Sequence, residues 1–173
     1  MAAPNMCGIT VLIRQYVKEK YSNMSATEVR DMVNQLCMST ATIALNKVGN
    51  PYSPRKQGAG IADIEKATKT LAYLYVDGIG KTKLELGDDP GRTGVYTMKI
   101  NLKNISDQAV SYRIGNITMT ESVSTSDPEY VAEMAYLLSN SSEYVVENGA
   151  YADGVVTVAA GQTAAITVTI TLS

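Results

Sequence analysis

The sequence predicts an α+β chain, helical over residues 1–72 and folded as an antiparallel β-sandwich over residues 73–173. Three observations predict it. Apolar residues recur at helical spacing up to Leu71, they alternate strictly with polar ones afterwards, and Gly, Pro and Asn gather between the alternating runs. A chain of 173 residues that is 45% hydrophobic and 18% charged can bury a sizeable core. Tyr supplies all 11 aromatics, with no Phe or Trp, so that core rests on aliphatic side chains, Met and Tyr.

In the first stretch, Met6, Ile9, Ile13, Tyr16 and Val17 share one helical face, and Val11 and Leu12 widen it. Such a width predicts a helix buried on most sides, with neighbours around it. In YSNMSATEVRDMVNQLCMST, Ser25 followed by Glu28 is a capping box, in which two side chains satisfy orphan N–H groups at a helix start. Val29, Met32, Val33, Leu36 and Cys37 form the stripe of that second helix. NKVGNPYSPRKQGAG, from Asn46 to Gly60, reads as loop, and IADIEKATKTL reads as a short helix. Cys7 and Cys37 lie in helical stretches among apolar neighbours; a pair of small buried residues and a disulfide between packed helices both fit the sequence.

After Leu71 the period becomes two. Tyr96, Met98, Ile100 and Leu102 alternate with Thr97, Lys99, Asn101 and Lys103, which predicts a strand with one dry and one wet face. Val110, Tyr112 and Ile114 repeat the pattern, which resumes after Gly115 and Asn116 at Ile117 and Met119, across an expected bulge. Ile166, Val168, Ile170 and Leu172 face one way in the last run, with Thr167, Thr169 and Thr171 facing the other. Between these lies TSDPEYVAEMAYLLSN, where Asp127 as N-cap, Pro128 in the first helical position and Glu129 beside the helix dipole predict a helical insertion near 128–139. Several short strands with turn signals between them predict a sandwich of the fibronectin type III kind.

Composition excludes several functions. The net charge of −2, from 15 basic and 17 acidic residues without long runs of one sign, predicts neither a nucleic-acid nor an anionic-membrane partner. No apolar run reaches the roughly 18 residues of a bilayer span. The start lacks the basic leader of an export signal, so the export signal of a secreted parent is expected elsewhere. With His absent, no His-based catalytic base or His-containing zinc site can be built, two cysteines alone hold no zinc cluster, and neither metal nor cofactor is predicted. GAGIAD lacks the third Gly of a dinucleotide fingerprint, and Asp88 and Asp89 before Pro90 and Gly91 read as turn residues. Asn23, Asn104, Asn116 and Asn140 begin N-x-S/T triplets, which arise often by chance.

MAAPN, with Gly8 shortly after, is similar to the segment that follows the nucleophile in subtilisin-like serine proteases, whose motif reads G-T-S-M-A-x-P. Met1, Ala2, Ala3, Pro4 and Gly8 match, and the serine would precede Met1. Cys7 stands where that family usually has Ala or Ser. RKQGAGIADIEKAT, with Gln57, Gly58, Gly60 and Asp63, resembles the closing segment of the catalytic domain in the large cell-envelope subtilases of the lactocepin and C5a-peptidase type. KLELGDD, LKNISDQAVSYRI and VVTVAAGQTAAITVTITLS resemble the fibronectin-like domain that follows catalysis there.

The resemblance implies an α+β fragment: the last helices of a subtilisin-like α/β catalytic domain over 1–72, then an incomplete sandwich over 73–173. It implies a secreted or cell-envelope parent that hydrolyses peptide bonds through an acyl-enzyme, with polypeptide substrates and with the Asp, His, oxyanion-hole Asn and Ser all upstream of Met1. It also implies further strands beyond Ser173. The partner it implies is the upstream part of the catalytic domain, and this chain alone is expected to be inactive. Rival readings are a standalone extracellular binding or adhesion module and, remote given the acidity, a helix-turn-helix regulator.

Overall fold

The computed structural model describes residues 2–47, 49–122 and 134–173. The helices are α1 (Ala2–Lys20), α2 (Ala26–Ser39), α3 (Pro54–Gln57) and α4 (Ile64–Lys69). The strands among the described residues are β1 (Ala72–Tyr75), β2 (Val95–Asn104), β3 (Val110–Arg113), β4 (Met119–Ser122), β5 (Met134–Leu137), β6 (Asn140–Glu147), β7 (Ala150–Ala152), β8 (Val155–Val158) and β9 (Thr163–Leu172).

The helices form where local signals and packing agree. Pro4 sits in the first turn of α1, where its missing N–H costs no bond, and Lys18 and Lys20 close the last turn, where cations favour the dipole. The capping box of α2 is complete: Ser25 N–H donates to Glu28 Oε2 at 2.7 Å and Glu28 N–H to Ser25 Oγ at 3.3 Å. Ile13 and Val17 of α1 meet Val29, Met32, Val33, Leu36 and Cys37 of α2 and Ala67 of α4 in one core. Ile13, Val17 and Leu36 are fully enclosed, and burying each such side chain stabilises by about 1.5–3 kcal/mol. Val11 and Leu12 are 63% and 52% exposed, so within this chain α1 buries one face rather than most of its surface. The described residues supply no second neighbour on that side. Inside the stretch read as loop, Ser53 caps the short α3 with Pro54 in its first turn, a local start signal that the Gly and Asn content had masked.

The strands build an antiparallel sandwich. One sheet has the order β1-β2-β9-β6, the other β3-β8-β7, and β4 pairs with β5. Opposed pairs Ile100–Ile166, Met98–Val168 and Tyr96–Ile170 set the register of the two long strands, and a one-residue slip would turn every one of these side chains to water. Leu102, Ile166, Val168 and Ile170 pack with Val110, Val156 and Val158 from the facing sheet. Thr97 and Thr169 pair their hydroxyls at 3.2 Å on the outer face. Asn101 belongs to the polar half of the alternation yet is buried; it lies opposite Tyr75, beside Tyr73, where that face packs on the helical core. The chain passes from β6 to β7 through Gly149, where a Cβ would lie 3.0 Å from both Ala164 Cβ and Thr157 O.

Two expectations need correction. Asp127, Pro128 and Glu129 lie outside the described residues, but Met134–Leu137, assigned to the helical insertion, is strand β5, registered from Met119↔Leu137 to Ser122↔Met134. Pairing with β4 outweighs the helical propensity of Met, Ala and Leu. Nor does one bulged strand run through Gly115: β3 ends at Arg113, β4 begins at Met119, and Ile117 between them is exposed.

Asn104 organises one end of the sandwich. Fully enclosed, its Nδ2 donates to the carbonyls of Gln108 (2.7 Å), Ala159 (3.0 Å) and Val158 (3.1 Å), while its Oδ1 accepts from Ser106 N–H (2.9 Å) and Oγ (2.8 Å). Those bonds consume the amide, so this N-x-S triplet offers nothing to a modifying enzyme. Asn104→Ala leaves several buried backbone groups unpaired, and we expect a loss of about 3 kcal/mol or more. Urea unfolding midpoints measure it; a change within about 0.5 kcal/mol, the range of an ordinary surface substitution, would deny Asn104 this role.

Candidate functional site

The two segments singled out in the sequence meet at one cavity of about 570 Å³. Asn5, Met6 and Ile9 line it from the start of α1, Cys37 and Met38 from the end of α2, and the stretch from Gln57 to Ala62 closes it. Met1 lies outside the described residues, and Ala2 opens α1. Ala3, Pro4 and Gly8 are exposed, and a Cβ on Gly8 would meet nothing within 4 Å. Ala3, Pro4 and Gly8 therefore face solvent within the described chain.

The second segment is held by its own hydrogen bonds. Gln57 Oε1 accepts from Ala44 N–H at 2.7 Å and its Nε2 donates to Tyr52 O at 2.5 Å, so the side chain ties two stretches of loop together. Gly58 caps α3 with φ 60° and donates its N–H to Pro54 O at 2.7 Å. Gly60 has φ 122°, and a Cβ there would lie 2.5 Å from Thr42 O. That absent side chain lets Thr42 and Ile61 exchange backbone bonds of 2.9 and 2.8 Å. Asp63 is the N-cap of α4, its Oδ1 accepting from Lys66 N–H at 3.0 Å. It is a structural carboxylate facing a helix start.

Chemically the cavity is an apolar receptacle. Its polar side chains are Asn5 and Gln57, and both ends of the Gln57 amide are already engaged. Among the described residues no three His, Cys, Asp or Glu side chains group to hold a metal, and no helix is long and apolar enough to cross a membrane. Cys7 and Cys37 are both free thiols, which settles the disulfide question, and Cys7 is exposed rather than buried. Burial pushes the Cys37 thiol above its ordinary pKa. Sequence reasoning missed Thr42 and Met38, because neither belongs to a motif and only the fold brings them to the two segments.

Comparison with known proteins adds to this geometry. Residues 84–173 match the family model described as an Fn3-like domain. The chain is 29% identical over 114 residues to a C5a peptidase of Streptococcus pyogenes, a match covering 65% of this chain and 10% of that protein. It is 28% identical over 187 aligned residues to the PI-type proteinase of Lactococcus lactis subsp. cremoris, covering 99% of this chain and 9% of that protein. The PII-type proteinase of the same organism matches to the same extent. The chain thus spans about a tenth of the length of the curated relatives it matches.

Gly60→Ala drives a methyl into the Thr42 carbonyl at a backbone angle that side chains rarely adopt, so it should cost about 1–3 kcal/mol and loosen Thr42 from Ile61. Amide exchange at Ile61 reports it, and unchanged protection there would contradict the tight fit. With a thiol-reactive chromophore at pH 8, Cys7 should react quickly and Cys37 only on unfolding; Cys7→Ser should abolish the fast phase. Rapid reaction of both thiols in the native chain would overturn the assignment.

Proposed function

The chain belongs to the Fn3-like domain family, and from that premise we propose that it is a piece of a secreted or cell-envelope subtilisin-like serine endopeptidase, joining the end of the catalytic domain to the sandwich that follows. The observation that carries this reading is the alignment over 99% of the chain with the lactococcal proteinase. It runs through the helical part as well as the sandwich, so a shared Fn3-like domain alone does not account for it.

The geometry supports the same reading. α1 begins at Ala2, and its Ala3, Gly8, Val11 and Leu12 face solvent in this chain. In the proposed parent the nucleophilic serine stands directly before Met1, at the head of α1, where the dipole favours a developing oxyanion. Ala2, Ala3 and Gly8 let that helix approach a sheet closely, and the upstream part of the catalytic domain covers its outer face and the adjoining cavity. The Asp and His that activate the serine come from that upstream part. This chain by itself is then inactive, its polypeptide substrates belong to the parent alone, and its location is that of the parent, outside the cell or in its envelope.

A serine-reactive phosphonate probe tests the proposal. This chain should remain unlabelled. A polypeptide that continues upstream through Gly-Thr-Ser into a full catalytic domain should be labelled with one equivalent, at the serine preceding Met1. Stoichiometric labelling of the present chain, or a natural upstream sequence without that serine, would refute the proposal.

A further inference from the structure

We propose that the last turn of α2 and the segment Val76–Thr82 form a clasp that fastens the helical unit to the edge of the four-stranded sheet, so that helices and sandwich move as one body. β1 is the outermost strand of that sheet, and the backbone groups of Leu74 are met by side chains instead of another strand. Leu74 N–H donates to Ser39 Oγ at 2.9 Å. Leu74 O accepts from Thr82 Oγ1 at 2.6 Å and lies 3.2 Å from Ser39 Oγ. The two hydroxyls are themselves 3.4 Å apart. Together they do for Leu74 what a neighbouring strand would do.

The segment between them lies along α2. Asn34 Nδ2 donates to Gly80 O at 3.3 Å, and Gly80 sits so close to the Asp31 carboxylate that a Cβ would clash with it. A backbone bridge between Val76 and Ile79 folds the segment back, with Val76 buried. Tyr73, next to Leu74, packs into the helical core, and so does Ile105 just beyond β2. Contacts on both sides of the clasp therefore join the helical core to the sheet edge. The hydroxyls of Ser39 and Thr82 can be removed without altering the backbone, which makes the clasp separable from the fold. It rests on these distances alone and is independent of any protease.

Hydrogen–deuterium exchange on the whole chain, read peptide by peptide, tests it. The double variant S39A/T82A should raise exchange in α1, α2 and β1 roughly tenfold or more, a loss the size of one or two intramolecular hydrogen bonds. The central strand β9 should keep its protection, and Ser39→Thr, which retains a hydroxyl, should stay near the parent values. Unchanged exchange in the helices, or equal loosening of helices and β9, would overturn the clasp. If the double variant fails to fold, the single Thr82→Ala decides: a rise confined to α2 and β1 upholds the clasp, and any other pattern refutes it.

Discussion

Alternation along four residues, Ala72–Tyr75, ties the helices to the sheets. Successive side chains of a strand point to opposite faces, and β1 uses both: Ala72 and Leu74 pack with the sandwich core, while Tyr73 packs with the helical core. The two hydrophobic clusters thus share a strand rather than merely a linker. Strand β1 pairs with β2 over Ala72–Asn104 to Tyr75–Asn101, so the register of the long strands also fixes where the helices sit. A residue inserted into β1 would exchange the two faces and misplace both clusters at once.

Much of this was legible in the sequence. The capping box at Ser25 and Glu28, the stripe of α2 and the alternation of β9 are local patterns, and each appears as read. The failures share a cause. Met134–Leu137 carries good helix formers yet pairs with Met119–Ser122, and the alternation on either side of Gly115 looks like one strand yet breaks between Arg113 and Met119. In each case the outcome is decided by what lies across from the residue, which local periodicity does not encode. The cavity was half legible for the same reason: the segments around Pro4 and Gly60 announce themselves, but Thr42 and Met38 reach them only through the fold.

The cavity and the exposed side of α1 belong to one account. A helix start rich in small residues, an apolar hollow beside it and a glycine loop closing that hollow make a surface suited to close packing. Asp63 and Glu28, carboxylates near these helices, are both engaged at helix N-termini. Hydrogen bonds from Ser25 hold the Glu28 carboxyl below its ordinary pKa, so its share of helix stability is present above the unfolded-state pKa and fades as acid titrates it through the folded one. Acid would therefore loosen the start of α2.

The four-stranded sheet is asymmetric at its margins. On the β1 side the protein's own hydroxyls already occupy the backbone, whereas on the β6 side no backbone bond among the described residues continues outward from Asn140–Glu147. An unpaired strand edge is a template for another strand, and at β1 that template is already filled by Ser39 and Thr82. The sheet thus presents a blunt margin where it meets the helices.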